Sequence, residues 1–420
     1  MHIQLCSLST TLGGVELRMG REARLLSRVG HNVSIAINLY SALIDWSKEL
    51  QADGIPVFHY DPAPFLEQWW WLRQKPVWDL SIWKRFKLQY KFWRIARLLN
   101  KRLARKQASS HYAAYKPDLV HIFLPWSGFE ASRLFLAHAN RLPVVLSIRN
   151  AFPKKRWSQW HRQHYHAAFA SVRGIYAISQ SALDHFVDLY GEFIRPRTDL
   201  EIIHNSVDTH RFTPDETKRK LLRDRLNLPL DAPVVGFVGR IEKQKRPEAL
   251  IETFFHLRQL VEDVRLVMVG TGPLEDTIRR KINEIGFAPW VTFAGWQHHV
   301  EDFIPGFDVV LQLSNNEGFG TSTVEAMACG VPVVGTDVPG TRDILAAGKG
   351  GLLVPLHDEQ AAANACARIL LDGSLRSQMS VEARKEALFQ YTEVSWEQKI
   401  LNFYDRVSAK LSKAQLNNGV

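Results

Sequence analysis

Short apolar runs of strand length recur along this chain, nearly every one followed by a helix-like segment, and that alternation restarts part-way through. The first series is "HIQLCSL", "HNVSIAI", "IPVFHY", "DLVHIFL", "PVVLSI", "GIYAIS" and "EIIHN". From residue 233 a second series runs "APVVGFVG", "VRLVMVG", "WVTFAG", "FDVVLQL", "VPVVGT" and "GGLLVP". Strands that alternate with helices build parallel sheets covered on both faces, so the pattern predicts an α/β protein with two doubly wound, parallel-sheet domains. A chain of 420 residues is also too long for one ordinary core. Polar turn residues cluster in "NSVDTHRFTPDE", residues 205–216, which places the domains at 1–205 and 206–390 and leaves 391–420 as a terminal helical segment. Ligands of open α/β sheets sit beyond the carboxyl ends of the strands, so the loops that follow each strand carry the functional reading.

Several classes are excluded early. No apolar run reaches about 18 residues, so no transmembrane helix is expected. The opening "MHIQLCSLSTTLGG" lacks a basic leader and a long apolar stretch, which argues against a secretory signal. Cys6, Cys329 and Cys366 are scattered without metal-site or CxxC spacing and read as buried residues of a reducing compartment.

Four loops carry chemistry-bearing residues. After "DVVLQL" comes "NNEGFGTSTVEAMACG", with Glu317 and Glu325 on a strand-to-helix connection. Gly318 and Gly320 there let the backbone approach a ligand, and the N–H groups opening the helix favour an anion. Ser322 and Glu325 also match a capping box, which would explain Glu325 without a ligand but not Glu317 or the glycines. After "GFVG" comes "RIEKQKRPEAL", where Arg240 and Lys245 can neutralise a diphosphate together or form a solvated basic loop. After "VRLVMVG" comes "TGPLEDTI", a glycine turn containing Gly272. "LGGVE", residues 12–16, puts Gly13 and Gly14 at a similar turn after the first strand.

The ordered set "EGFGTSTVE", "GFVGRIEKQKRP", "MVGTGPLEDTI", "VTFAGWQ", "IIHNSVDTHRFTP" and an N-terminal "GGVE" resembles retaining glycosyltransferase family 4 over nearly the whole chain. The resemblance implies the GT-B fold: two Rossmann-like domains facing a central crevice, with the acceptor held by the first and a nucleotide-sugar donor mostly by the second. It implies that Arg240 and Lys245 bind the donor diphosphate, that Glu325 takes the ribose hydroxyls, and that Glu317 contacts the transferred sugar. It further implies that Gly318, Phe319, Gly320 and Thr321 lie along sugar and phosphates, that Gly13 and Gly14 close over the diphosphate, that Gly272 belongs to the donor site, and that the loop from Phe293 to Trp296 borders the base. The last helix would cross back to the first domain. Two positions depart from the family pattern. Arg149 and Asn150 stand where many relatives carry a histidine, which points to a contact with an acceptor or phosphate anion instead; Thr271 replaces a usual acidic residue. The donor is expected to be a UDP- or GDP-sugar, and because no D-x-D motif is present it is expected to bind without a metal; no other cofactor is expected.

The net charge of +10 is local: residues 65–106 hold twelve of the 53 Lys and Arg and only two of the 43 acids, so charges elsewhere balance. Six of the thirteen tryptophans lie there too. Helical spacing would put Ile82, Phe86, Tyr90, Trp93, Ala96, Leu99 and Leu103 on one face, with lysines and arginines opposite. Amphipathic aromatics beside bases suit an anionic membrane surface. The expectation is an enzyme peripheral to the inner face of the cell membrane, in the cytoplasm, glycosylating a lipid-linked or cell-surface glycan. A GT-B synthase or phosphorylase acting on a soluble sugar is the alternative. A nucleic-acid-binding protein is the remote one, and no nucleic-acid partner is expected, because the charge is confined to one segment and no nucleic-acid motif appears.

Overall fold

Hydrogen bonding gathers the strands into two sheets in a computed structural model of the chain, which describes residues 1–7, 12–37, 41–59, 105–124, 131–150, 159–229, 231–346, 348 and 350–417. The first sheet contains β1 (His2–Cys6), β2 (Asn32–Ile37), β3 (Val57–His59), β4 (Leu119–Leu124), β5 (Val144–Ile148), β6 (Val172–Ala177) and β7 (Asp199–Ile202), in the order β3-β2-β1-β4-β5-β6-β7. The second contains β8 (Val234–Val238), β9 (Arg265–Val269), β10 (Val291–Gly295), β11 (Val309–Gln312), β12 (Val333–Thr336) and β13 (Gly351–Val354), in the order β10-β9-β8-β11-β12-β13. All five pairings of the second sheet are parallel. Every expected strand is present. One is displaced: β7 was expected in "EIIHN" but ends at Ile202, where the chain leaves the sheet.

Each sheet starts near its centre, runs outward to one edge, and then returns to build the other side. That is the Rossmann order, and its direction reverses between β1 and β4 in one sheet and between β8 and β11 in the other. Strands covered on both faces need continuous apolar sequence, and β5 and β8 are buried at every residue. Both sheets are therefore of the expected α/β, doubly wound parallel class.

Two compact units contain the sheets. One comprises residues 1–177, 185–201 and 400–420, the other 178–184 and 202–399. In the first, the final helix, Glu393–Asn417, packs from Ile400 onward on β6. Gly174 leaves room for Phe403, whose ring would lie 2.6 Å from any added Cβ. Beside it Tyr404 donates to Glu22 Oε1 at 3.0 Å, Tyr176 donates to Glu22 Oε2 at 2.6 Å, and His121 Nδ1 lies 2.6 Å from the Tyr404 hydroxyl. Burial alone would raise the Glu22 pKa, but the neighbouring His121, the Tyr176 hydroxyl and the Arg149 charge bring it below the ordinary carboxylate value. This buried polar knot fixes the terminal helix to the first unit.

The amphipathic helix expected over residues 82–103, and with it most of the basic aromatic segment 65–106, lies outside the described residues. Among the described residues no helix is long and apolar enough to cross a membrane.

Candidate functional site

The second unit's sheet reverses between β8 and β11, so the loops after those two strands share the position where such sheets bind ligands. They are laced together through the backbone. Asn315 N–H donates to the Gln244 carbonyl at 2.8 Å, and Gln244 Nε2 donates to the Asn316 carbonyl at 3.0 Å. That lacing brings Lys245, from the short turn Lys243–Lys245, against Glu317: Nζ lies 2.5 Å from Oε1. Ser314 Oγ donates to the same Oε1 at 2.6 Å. Their side chains keep only 15% and 11% exposure, so the pair is a shielded charge at the loop surface rather than a solvated contact.

Arg240 behaves differently from its neighbours. Its side chain is 71% exposed, with Glu242 no closer than 3.5 Å, which leaves the guanidinium able to turn toward an anion. Arg246 is instead committed to Glu359 and His357. In this loop Lys245 and Arg246 are each held by a carboxylate, and the Arg240 side chain is largely exposed.

The helix Thr321–Ala328 opens directly after the Glu317 loop. Gly320, at φ +91°, makes the turn into it, a conformation that a side chain would strain. Its first N–H groups, at Thr321 and Ser322, precede the intrahelical ladder and present partial positive charge. Gln312 Nε2 donates to Ser322 Oγ at 2.9 Å, so the Ser322 proton is left for another acceptor. The capping-box alternative for Ser322 and Glu325 is overturned here. The cap residue is Gly320, which has no side chain, so Glu325 is the helix's fifth residue rather than its third. It is half-buried on that helix.

Between these groups, residues 318–319 are held by parts of the chain far away in sequence. Ser179 Oγ donates to the Gly318 carbonyl at 3.1 Å. Phe319, 3% exposed, lies over the His204 ring at 5.6 Å and edge-on to Tyr391. Burial holds the His204 imidazole below its ordinary pKa, although its contact with the Ile178 carbonyl acts the other way. Gly340, at φ +81°, packs against the Glu317 carbonyl from the far side.

Gly272 and Phe293 sit along the neighbouring strands. A Cβ on Gly272 would lie 2.4 Å from the Ile241 carbonyl oxygen, so its lack of a side chain is used by the adjoining loop's backbone. Phe293 is half-buried on β10 under the Arg279 guanidinium, 3.9 Å from the ring centroid. Trp296 remains 61% exposed.

The first unit carries the other expected residues. Gly13 is the N-cap of the helix Gly14–Arg28, and its N–H donates to Glu16 Oε2 at 2.9 Å. Gly14 opens onto free space. Arg149 follows β5, only 9% exposed, with its guanidinium 5.6 Å from the Phe123 centroid, and its charge already acts on Glu22 and Tyr176. Asn150 beside it is half-buried.

Sequence reading did not single out Ser314, Gln312, Thr336, Gly340, Ser179 or His204. Ser314 borders a legible loop, and Gln312, Thr336, Ser179 and His204 lie inside runs read as strands or motifs, but none carries a local mark of a role at the site. Ser179, His204 and Thr336 reach the site through contacts between residues distant in sequence, which no local pattern announces.

Residues 12–211 match the family model described as Glycosyltransferase Family 4, and residues 218–386 match the one described as Glycosyl transferases group 1. The chain belongs to glycosyltransferase family 4. The D-inositol 3-phosphate glycosyltransferase of Xylanimonas cellulosilytica is 33% identical over 228 residues, 51% of this chain and 52% of that protein. The lipopolysaccharide core biosynthesis glycosyltransferase LpsE of Rhizobium meliloti is 30% identical over 196 residues, 47% of this chain and 55% of that protein. This family 4 member thus spans about half the length of the curated relatives it matches. Among solved structures, HepE of Anabaena in complex with UDP superposes with a TM-score of 0.74 at 20% identity, across 96% of this chain and 100% of HepE. WaaG, a glycosyltransferase involved in lipopolysaccharide biosynthesis, superposes with a TM-score of 0.63 at 15% identity, across 96% of this chain and 99% of WaaG. At those identities the likeness concerns the fold.

Proposed function

We propose that this chain moves a sugar, with retention of configuration, from a nucleoside diphosphate sugar to a hydroxyl of a glycan acceptor. The observation that carries the reading is the Lys245–Glu317 pair at the β8/β11 switch point of a family 4 chain. Arg240, Lys245 and the N-terminus of the helix Thr321–Ala328 meet the charge that develops on the departing diphosphate, in place of a metal ion. Glu317 accepts hydrogen bonds from the transferred sugar, and Glu325 from the ribose. UDP- and GDP-sugars are the donors to try first, since HepE was solved with UDP and a GDP-mannose-dependent mannosyltransferase is among the curated relatives.

The finer reading is that the acceptor is lipid-linked or part of a cell-surface glycan, met at the cytoplasmic face of a membrane. LpsE and WaaG, named for lipopolysaccharide biosynthesis, support it, as does the basic, tryptophan-rich sequence of residues 65–106. A nucleotide-release screen over UDP-, GDP- and ADP-sugars, with and without lipid extract, tests both levels. Release that requires lipid supports the membrane reading; release that needs only soluble sugars refutes it. Lys245→Ala and Glu317→Gln should each lower release by about 10²–10³, the usual cost of one well-placed electrostatic contact. Wild-type turnover in either variant would refute the donor-site assignment.

A further inference from the structure

We infer that Ser314 and Thr336 are positioning residues that fix which oxygen of Glu317 meets the donor sugar; this rests on the donor-site reading above. Glu317 has two carboxylate oxygens in unequal surroundings. Oε1 receives the Lys245 ammonium at 2.5 Å and the Ser314 hydroxyl at 2.6 Å. Oε2 accepts no hydrogen bond from the described residues, so it is the oxygen left for a substrate hydroxyl.

The two donors on Oε1 differ in what a diphosphate does to them. Lys245 is the flexible cation that a diphosphate draws toward itself. Ser314 is a neutral donor with no exposed surface, placed just beyond the end of β11, and a phosphate cannot reach it. Its single hydroxyl proton is committed to Oε1. When the ammonium is shared with phosphate, the Ser314 bond still holds the carboxylate plane, so Oε2 keeps its direction while the donor binds.

Ser314 is held in turn. Its carbonyl lies past the end of the β11–β12 ladder, and Thr336 Oγ1 donates to it at 2.6 Å from the end of β12. Thr336 is 1% exposed, so this bond satisfies a buried carbonyl that would otherwise be stranded. The relay runs from Thr336 to the Ser314 backbone, and from the Ser314 hydroxyl to Glu317.

The test uses the full chain and three donors, UDP-glucose, UDP-N-acetylglucosamine and GDP-mannose, with nucleotide release as the rate readout. Free UDP and GDP serve as calorimetric probes of nucleotide affinity. On any donor that turns over, Ser314→Ala should lower kcat about 10- to 100-fold, the range between a lost orienting contact and a lost electrostatic one. Affinity for the free nucleotide should stay within about two-fold, because the nucleotide does not touch this relay. Thr336→Val should lower kcat in the same direction, and Thr336→Ser should recover most of that loss. In a Glu317→Gln background, Ser314→Ala should add less than about two-fold, since Ser314 acts through the carboxylate alone. Wild-type kcat in Ser314→Ala, a parallel fall in nucleotide affinity, or an undiminished effect in the Glu317→Gln background would each overturn the inference. A wild-type chain that turns over no donor and binds neither UDP nor GDP would overturn the donor-site reading, and the positioning role with it.

Discussion

Gly340→Ala should damage the donor loop from a position that bears no functional group. At φ +81° and ψ −55° the backbone of Gly340 lies in a sparsely populated positive-φ region, which costs an alanine about 1–3 kcal/mol. The added Cβ would also lie 2.5 Å from the Glu317 carbonyl oxygen, 2.9 Å from its carbonyl carbon and 3.0 Å from its Cβ. Two of those atoms are backbone, and Glu317 N–H is tied to the Pro339 carbonyl at 3.2 Å, so the clash cannot be relieved by rotating a side chain. Overpacking of this kind adds about 1–3 kcal/mol and is relieved only by moving residue 317.

Gly54 separates the two terms. Its φ of +79° is nearly the same, yet a Cβ there meets nothing within 4 Å. Gly54→Ala therefore carries the conformational cost alone. By calorimetry, each read in the transition of its own unit, the two variants should differ by about 1–3 kcal/mol, or roughly 2–12 °C in melting temperature. Gly340→Ala should also lose about ten-fold or more in nucleotide release, because a displaced Glu317 no longer meets its substrate in register, whereas Gly54→Ala should turn over as the parent does. Equal losses of stability in the two variants would refute the steric argument. A destabilised Gly340→Ala with parental turnover would refute the link to Glu317.

Other consequences are simpler to state. Asp308 accepts from Arg219 at 2.7 Å, from Arg223 at 2.9 Å and from Val234 N–H at 2.8 Å, and Arg223 is 1% exposed, so Asp308→Ala removes the carboxylate that neutralises a buried guanidinium, which keeps its bonds to the Pro229 and Ala232 carbonyls. Urea unfolding should show a loss of about 3–5 kcal/mol, and a loss under 1 kcal/mol would contradict it. Glu325→Ala should weaken UDP or GDP binding while melting near the parent temperature, since the helix is capped at Gly320 rather than through Glu325; a lowered melting point with unchanged affinity would reverse that assignment. His111, lowered to a pKa of about 4 by burial and then by Arg133 and His2, binds its proton more weakly folded than unfolded. Its contribution is thus present above about pH 6.5 and lost as the pH falls toward 4, so His111→Gln should flatten the stability profile across that window, and an unchanged profile would argue against it.

What the sequence made legible and what it hid divide along a physical line. The strands could be read because each is a local apolar run, and parallel strands buried on both faces leave little room for ambiguity. Lys245 and Glu317, which the fold brings together, could be singled out because charge and glycine fall together in each of the two loops that follow β8 and β11. The capping-box alternative for Ser322 and Glu325 came from the same local view: the spacing fits a capping box, but Gly320 turns the chain early enough to start the helix at Thr321. Ser314, Thr336 and Gly340 hold the acidic side chain in place, and as residue types a serine, a threonine and a glycine are unremarkable. Their meaning appears only once β12 lies beside β11, which puts Thr336 on the Ser314 carbonyl across 22 positions of sequence. Ser179 reaches Gly318 across 139 positions, so its role depends on the completed second unit. Charged groups that meet a ligand are exposed to it and leave a local signature in the loop. The neutral donors and missing side chains that aim those groups are buried against other backbone, and they acquire their function from tertiary contact alone.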